Sequence, residues 1–376
     1  MAAPAAPAAP ATPALPREVG ELLRAGTVIP AHPLALTEDR RLDERHQRAL
    51  TRYYAAAGAG GVAVGVHTTQ FEIRDVGLYE PVLALAADTL DDALGAGPAA
   101  RPFVRVAGVA GPTAQAVAEA EVAAGLGYHA VLLSPPRPAP GDPLLADPAR
   151  LEDHAIERAA AVGEVLPVIG FYLQAAIRGP RLSLDFWRRF AELEAVVAVK
   201  AAPFDRYRTL DVARAVAGSS RGADIALYTG NDDAIVADLL SDLVFDGPDG
   251  EPVTRRVVGG LLGHWSVWTR RAVELHAQVG RARAGDREAL ADLVARSAAV
   301  TDANAALFDP QHGFAGCITG VHEVLRRQGL LAGTWCLDPD ETLSPGQAEE
   351  IDRVLRLHPW LSDDDFVAEH LDGWLA

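Results

Sequence analysis

The chain has 376 residues, of which 49% are hydrophobic and 23% charged, and its mean hydropathy is +0.07. This length and composition predict a soluble globular protein with a large core and exclude a small disulfide-stapled scaffold. The formal charge of −17 repels nucleic-acid phosphates and anionic lipid. We therefore expect neither nucleic acid nor a membrane surface as a partner.

The chain begins with a segment rich in alanine and proline, and we predict a disordered tail over residues 1–18. Because this segment has no basic start and no aliphatic core, we do not expect a secretory signal. No later stretch reaches the roughly 18 consecutive apolar residues of a membrane span. The cysteines, Cys317 and Cys336, lack the spacing of a structural zinc site, so we expect free thiols and a cytoplasmic location.

Short β-rich segments alternate with helical patterns, which indicates βα units around a parallel sheet. We predict eight strands, over residues 26–30, 61–67, 102–109, 130–134, 167–173, 196–200, 225–229 and 256–262. Their spacing of roughly 25 to 40 residues is typical of a (β/α)8 TIM barrel, an α/β fold. A doubly wound open sheet is the alternative, but no GxGxxG motif follows the first strand.

Helical periodicity fills the intervals between these strands and most of the chain after them. Phe186, Trp187 and Phe190 fall on one helical face that follows a Ser183 cap. After the last strand the pattern is almost entirely helical. We therefore predict a barrel over residues 19–265, with a loop at 246–251, and a C-terminal helical extension over 266–376 that packs on the barrel.

Lys200 is the only lysine of the chain, and it ends an apolar run that predicts a buried strand. Arginine keeps its proton inside a protein, whereas burial lowers the pKa of a lysine and makes its amine a nucleophile towards carbonyl carbon. Schiff-base chemistry is the functional hypothesis for this residue. The alternative is a lysine at a strand end whose amine reaches solvent.

Active sites of TIM barrels lie at the carboxyl ends of the strands, and polar residues occur at several of these ends. Thr68 and Thr69 follow strand two, Tyr172 lies on strand five, and Lys200 ends strand six. A lysine that forms an imine needs a partner that moves protons, and a tyrosine linked to a threonine hydroxyl supplies one. For each of these residues a structural role on its strand is the alternative.

The order of these residues resembles the dihydrodipicolinate synthase and N-acetylneuraminate lyase family. Lys200 follows Tyr172 by 28 positions, and a Gly-Asn-Asp-Asp turn begins at Gly230 after strand seven. The resemblance implies a class I aldolase on a TIM barrel, commonly a homotetramer, that binds pyruvate or another 2-oxo acid as an imine. It implies that Lys200 is the nucleophile, that Tyr172 and Thr69 form the proton relay, and that Thr68 holds the substrate carboxylate.

Several positions depart from the family's pattern. The Gly-Thr-Thr-Gly-Glu motif begins here with His67, which is either a substrate contact or a packing residue. After strand five, Arg178 is displaced by one position from the family's carboxylate-binding arginine, and Gln174 is a further substrate-binding candidate. The tyrosine expected after strand four is missing, since Ser134 and prolines stand there.

Two further segments have alternative interpretations. Asn231, Asp232 and Asp233 either line the mouth of the barrel or cap the next helix, and capping is favoured. His264 and Trp265 either wall the substrate pocket or belong to an aromatic belt under the C-terminal helices. No residues have metal-ligand spacing and imine chemistry needs no cofactor, so we predict neither a metal nor a cofactor.

These observations predict a carbon–carbon lyase that joins Lys200 to a 2-oxo acid and acts on an aldehyde-type second substrate. One alternative is an imine-dependent dehydratase or hydratase-aldolase acting on a sugar acid or an aromatic substrate. Another is a noncatalytic binding barrel, although the retained lysine and tyrosine disfavour it. The family pattern also predicts a homo-oligomer, either a dimer or a tetramer, and leaves the second substrate and the direction of reaction open.

Overall fold

The computed structural model describes residues 12–95, 101–138, 141–177 and 179–376. The predicted tail over residues 1–18 therefore lies largely outside the described residues, and its last two positions, Arg17 and Glu18, are helical. The strands are β1 (Val28–Pro30), β2 (Gly61–Val64), β3 (Val104–Val109), β4 (Ala130–Leu133), β5 (Val168–Leu173), β6 (Val196–Ala202), β7 (Ala226–Thr229), β8 (Asp242–Asp246) and β9 (Pro252–Leu262).

Within the described ranges, eight of these strands form a parallel barrel in the order β1, β9, β7, β6, β5, β4, β3, β2. Val28 of β1 is in register with Gly260 of β9, and a bridge between Ala31 and Ala63 brings β1 to β2. The buried strands consist mostly of Val, Ile, Leu and Ala, as expected where both faces of a parallel sheet are covered. The predicted TIM barrel with a C-terminal helical part is confirmed.

A β-hairpin precedes the last barrel strand and was not predicted. Strand β8 pairs antiparallel with the first half of β9, with Phe245 opposite Val253. Residues 246–251, predicted as a loop, are the turn of this hairpin. Every second residue of β8 is exposed, so the strand covers the outside of the barrel wall and does not enter the ring.

The helices are α1 (Arg17–Ala25), α2 (Glu44–Ala57), α3 (Tyr79–Leu94), α4 (Thr113–Gly125), α5 (Pro148–Gly163), α6 (Leu184–Ala191), α7 (Arg206–Gly218), α8 (Ile235–Leu240), α9 (Thr269–Arg283), α10 (Arg287–Phe308), α11 (Cys317–Arg327), α12 (Gln347–Leu357) and α13 (Asp364–Leu375). Among the described helices, none is long and apolar enough to cross a membrane. The predicted Ser183 cap is confirmed, because its hydroxyl accepts a hydrogen bond from the Phe186 amide at 3.0 Å.

Helices α2 to α9 follow the barrel strands in turn and surround them. Helix α1 lies at the amino ends of the strands. There Tyr228 donates a hydrogen bond to the carbonyl of Leu23 in α1 at 2.9 Å. Helix α9 packs against α2 and α8, so the first helix of the range 266–376 is part of the ring around the barrel.

The helices after α9 add a layer beside the ring. Helix α10 packs on α8, α9 and α12, and α13 packs on α2. Tyr53 of α2 donates a hydrogen bond to the buried carboxylate of Asp363 at 2.8 Å, and its ring lies 5.6 Å from that of Trp374. These contacts hold the layer against the barrel. They thereby position the segment between α10 and α11, which lies at the mouth of the barrel.

Candidate active site

A cavity lies at the carboxyl ends of the strands, and together with the open space at its entrance it has a volume of about 600 Å³. This is the end of a TIM barrel at which active sites form. Residues of the strands, their exit loops and the C-terminal layer line it: Ala31, Val66, His67, Thr68, Leu132, Phe171, Leu173, Gln174, Lys200, Ala202, Phe204, Gly230, Asp232, Gly263, Phe308, Phe314 and Cys317. We refer to it as the mouth cavity.

Lys200 lies in the mouth cavity because it occupies an inward position of β6. Ala198 and Ala202, two residues to either side, belong to the apolar interior of the barrel. Nζ lies 4.4 Å from the centroid of the Phe171 ring. Burial lowers the pKa of the Lys200 ammonium to about 8, and the negative charge of Asp232 opposes that shift. A substantial share of the amine is therefore neutral, and nucleophilic, close to physiological pH.

Asp232 is the acidic group of the mouth cavity. Burial raises the pKa of its carboxyl group to about 7, while the Lys200 charge and a hydrogen bond from the His264 amide act in the opposite direction. The His264 amide donates to Oδ1 at 2.9 Å, which fixes the carboxylate at the exit of β7. A carboxyl group with this pKa can both accept and donate a proton near neutral pH.

The capping role favoured for this turn is wrong. Helix α8 has Ala234 at its N-cap, and no side chain caps it. Asn231, at the start of the turn, accepts a hydrogen bond from the Phe204 amide at 3.0 Å and donates one to Asp238. It joins the exits of β6 and β7, while Asp232 faces the mouth cavity.

His67 also lies in the mouth cavity. Burial, together with the positive charges of Arg137 and Lys200, lowers the pKa of its imidazole to about 4. The ring is therefore neutral at physiological pH and presents one N–H donor and one acceptor. Since the sequence left His67 as either a substrate contact or a packing residue, its place in the lining of the cavity is compatible with a substrate contact.

The two threonines after β2 differ in position. Thr68 lines the mouth cavity and donates a hydrogen bond to the His32 carbonyl at 3.3 Å. Thr69 is fully buried, accepts hydrogen bonds from the amides of Gly65 and Val66, and donates to the His32 carbonyl at 2.7 Å. The predicted relay role of Thr69 has no geometric support, because its hydroxyl is engaged in holding the turn that carries Thr68.

The position predicted for Tyr172 is wrong. Its side chain points to the outside of the barrel, where the hydroxyl donates to the Leu182 carbonyl at 3.1 Å and accepts from Arg208 at 3.1 Å. Its ring lies 5.2 Å from that of Trp187 in α6. In the pairing of β5 with β6, Phe171 is in register with Lys200. Because side chains alternate along a strand, Phe171 faces the interior and Tyr172 does not.

The candidates after β5 have different outcomes. Gln174 lines the mouth cavity and is 8% exposed. Arg178 lies outside the described residues. His264 lies beside Trp268, with 5.8 Å between ring centroids, and lines a separate small cavity with Trp360. This arrangement matches the aromatic belt expected under the C-terminal helices.

The C-terminal layer contributes residues that the sequence did not identify. Phe308 at the end of α10, Phe314 in the following turn and Cys317 at the start of α11 all line the mouth cavity. Burial and the nearby Asp232 carboxylate raise the pKa of the Cys317 thiol well above its usual value. Within the described ranges, no group of three or more His, Cys, Asp or Glu side chains is arranged to hold a metal ion.

Comparison with known proteins gives matches in both sequence and structure. No family model matches the chain. N-acetylneuraminate lyase 2 of Escherichia coli O6:H1 is 24% identical over 225 residues, which cover 59% of this chain and 65% of that protein. The match thus spans slightly less than two thirds of the relative's length.

Solved structures match over most of their length. The dihydrodipicolinate synthase of Oceanobacillus iheyensis superposes with a TM-score of 0.68 and 17% identity, covering 90% of this chain and 98% of that one. The N-acetylneuraminate lyase of Fusobacterium nucleatum complexed with pyruvate gives 0.66 and 17% identity, covering 89% and 97%.

These matches confirm the resemblance to the dihydrodipicolinate synthase and N-acetylneuraminate lyase family, in fold over most of the chain and in sequence over part of it. Lys200 on β6 and a cavity at the carboxyl ends of the strands agree with that resemblance. The chain departs from it on β5, where Phe171 stands at the inward position and Tyr172 faces outwards.

Proposed function

We propose that the protein is a carbon–carbon lyase of the class I aldolase type, in which Lys200 forms an imine with pyruvate or another 2-oxo acid. The observation that carries the proposal is a single buried lysine, with a pKa of about 8, in the mouth cavity of a TIM barrel. The names of the relatives, a lyase and a synthase, and the pyruvate bound to one of them support the same chemistry.

The reaction begins when the neutral Lys200 amine attacks C2 of the 2-oxo acid. The carbinolamine loses water to give an iminium ion, and loss of a proton from C3 gives an enamine. The enamine carbon then adds to an aldehyde, and water hydrolyses the resulting imine and releases the lysine. In the cleavage direction the same steps run in reverse.

Asp232 is the group that supports proton transfer in this scheme. Its carboxyl group, with a pKa of about 7, donates a proton to the departing hydroxyl and accepts one from C3 of the bound acid. It takes the part that the sequence assigned to Tyr172. Thr68 and His67 line the same cavity and offer hydrogen-bond donors for the substrate carboxylate, and Gln174 offers a further amide.

Borohydride trapping tests the proposal. Folded protein is incubated with pyruvate, reduced, and analysed by peptide mass spectrometry, with Lys200→Arg as the control that keeps the charge but forms no imine. Because Lys200 is the only lysine, no other lysine side chain competes for the label. We expect an adduct on Lys200 that the variant lacks. The absence of an adduct with pyruvate and with other 2-oxo acids would overturn the proposal and favour a binding barrel.

We also propose that the protein is a cytoplasmic homo-oligomer. The support is the family resemblance, which implies a dimer or a tetramer, and the two buried free cysteines, which suit a reducing compartment. Size-exclusion chromatography with light scattering tests the oligomeric state, and a monomer at micromolar concentration would contradict it.

A further inference from the structure

The mouth cavity has an aromatic wall. Phe204, four residues after Lys200, and Phe314, from the C-terminal layer, meet there with their ring centroids 5.9 Å apart and their planes at 78°. Both side chains are partly exposed and both line the cavity. Phe171 and Phe308 extend the aromatic surface towards Lys200 and towards Gly263. Offset and edge-to-face contacts of this kind are the ones that aromatic rings prefer.

The backbone that carries this pair is held in an unfavourable conformation. Phe204 has φ of 52° and Phe314 has φ of 69°, a region that residues with a bulky side chain rarely adopt. Hydrogen bonds hold both in place, from the Phe204 amide to Asn231 at 3.0 Å and from the Phe314 amide to the Asp309 carbonyl at 2.9 Å. Strain of this type concentrates where a side chain is positioned for a ligand.

Most of the described side chains that line the mouth cavity are apolar. In that part of the chain, the polar side chains that line it besides Lys200 and Asp232 are those of His67, Thr68, Gln174 and Cys317. The 2-oxo acid itself requires partners for its carboxylate. A polyhydroxylated second substrate would therefore place several hydroxyl groups against phenylalanine, and each hydroxyl left without a hydrogen-bond partner weakens binding.

We propose that the second substrate is an aldehyde with an aromatic group, which lies against Phe204 and Phe314. This inference rests on the proposed function. C3 of the Lys200 enamine forms a bond to the aldehyde carbon, and the aldehyde oxygen takes a proton from Asp232 and becomes a hydroxyl. Water then hydrolyses the imine, which releases a 4-aryl-4-hydroxy-2-oxo acid and restores the amine. No oxidant or reductant takes part.

The test compares two aldehydes with pyruvate as the common donor. Benzaldehyde and glyceraldehyde are offered separately, and the condensation product is measured by liquid chromatography and mass spectrometry. We expect kcat/KM for benzaldehyde to exceed that for glyceraldehyde by about 10-fold or more, as the loss of unpaired hydroxyls predicts. Phe204→Leu and Phe314→Leu should each lower the benzaldehyde value by about 3- to 10-fold through loss of aromatic contact, and lower the glyceraldehyde value less.

Tyr207→Leu is the matched control. Tyr207 lies three residues after Phe204, is 82% exposed and does not line the mouth cavity. Removal of its ring should therefore leave the ratio of kcat/KM for benzaldehyde to that for glyceraldehyde unchanged. Circular dichroism verifies that each variant is folded, and either phenylalanine variant alone suffices for the comparison.

The outcomes separate this inference from the proposed function. If borohydride traps pyruvate on Lys200 but glyceraldehyde is the better acceptor, the aromatic inference is overturned and the proposed function stands. The aromatic inference is likewise overturned if benzaldehyde gives no product. It is also overturned if the two phenylalanine variants lower kcat/KM for both aldehydes by the same factor. If no adduct forms on Lys200, the proposed function fails and the inference fails with it.

Discussion

The Nζ atom of Lys200 lies 4.4 Å from the centroid of the Phe171 ring, across the pairing of β6 with β5. A cation above an aromatic ring is stabilised by about 0.5–2 kcal/mol, yet burial still lowers the pKa of the amine to about 8. The inward position on β5 therefore presents a ring face and no hydroxyl. In the proposed reaction, proton transfer at Lys200 therefore comes from another strand end, and Asp232 at the exit of β7 lines the same cavity.

Substitution of Tyr172 tests whether Tyr172 or Asp232 is the group that transfers protons at Lys200. The hydroxyl bonds to Leu182 and Arg208 outside the barrel, so Tyr172→Phe should lower the free energy of unfolding by about 1 kcal/mol and leave turnover within a few-fold of the original. Chemical denaturation and steady-state kinetics measure the two effects. A loss of turnover of about 100-fold, with unchanged stability, would restore the relay role.

The rate of imine formation should depend on pH in a defined direction. Because the neutral amine is the nucleophile and the pKa of Lys200 is about 8, the rising limb of the trapping rate with pyruvate should have its midpoint near that pH. The Asp232 carboxylate raises the Lys200 pKa, so Asp232→Asn removes that effect and should move the midpoint to lower pH. The plateau should also fall, since the fraction of Asp232 that is still protonated at that pH donates the proton for carbinolamine collapse, and an amide donates none.

Quench-flow borohydride trapping over a range of pH values measures both the midpoint and the plateau. A purely structural effect of Asp232→Asn would lower the plateau without moving the midpoint. A midpoint that stays fixed, or that moves to higher pH, would contradict the electrostatic link between Asp232 and Lys200.

Gly230 gives an independent test of where the lysine lies. A Cβ at this position would stand 2.5 Å from Cε of Lys200 and 2.7 Å from Cβ of Ala202. Gly230→Ala should therefore displace the amine and lower the trapping rate by about 10-fold or more, because small displacements of reacting groups have large effects on rate.

The matched control is Gly280→Ala in α9, where a Cβ would meet no atom within 4 Å. This change should leave trapping unaltered and raise the thermal midpoint slightly, because alanine favours a helix by about 1 kcal/mol over glycine. Equal trapping rates in the two variants would show that Lys200 is not confined as the structure indicates.

The barrel could be predicted because its strands are apolar runs of a length and spacing that few other folds share. Each of the eight predicted segments overlaps a barrel strand, although β6 ends two residues later than predicted and β9 begins four residues earlier. The hairpin strand β8 was missed because its apolar run covers only residues 243–245, between two aspartates and directly after a short helix. Such a run is shorter than the apolar runs used to find the other strands.

The site could be predicted only in part, because the face of a strand changes with every residue. Lys200 was found from its residue type and from the apolar run that it ends. On β5, the 28-residue spacing and the family resemblance selected Tyr172, whereas the register with β6 places Phe171 inwards. Phe308 contacts Gly263, which is distant from it along the chain, and no local sequence pattern predicts such a contact. The sequence therefore identified the buried lysine of the cavity and missed the aromatic wall.

A buried ion pair holds the exit of β2, which carries His67 and Thr68, against the adjacent part of the barrel. Glu119 of α4 accepts hydrogen bonds from Nε and Nη2 of Arg74 at 2.9 and 3.0 Å, and Arg74 also donates to the Gly65 and Gly108 carbonyls. The two side chains are 9% and 10% exposed. Glu119→Ala leaves the guanidinium charge buried and unpaired, so the free energy of unfolding should fall by about 3–5 kcal/mol.

Removal of one carboxylate from an exposed pair supplies the comparison. Glu21 pairs with Arg17 on the surface of α1, where the side chains are 55% and 89% exposed, so Glu21→Ala should change the unfolding free energy by less than about 1 kcal/mol. Urea denaturation of both variants measures the difference. Trapping by Glu119→Ala should also slow, because the loop that bears Thr68 loses its anchor, whereas Glu21→Ala should trap pyruvate as before. Equal stability losses in the two variants would mean that the Arg74 charge reaches water once Glu119 is removed, and that the loop is held by its backbone contacts alone.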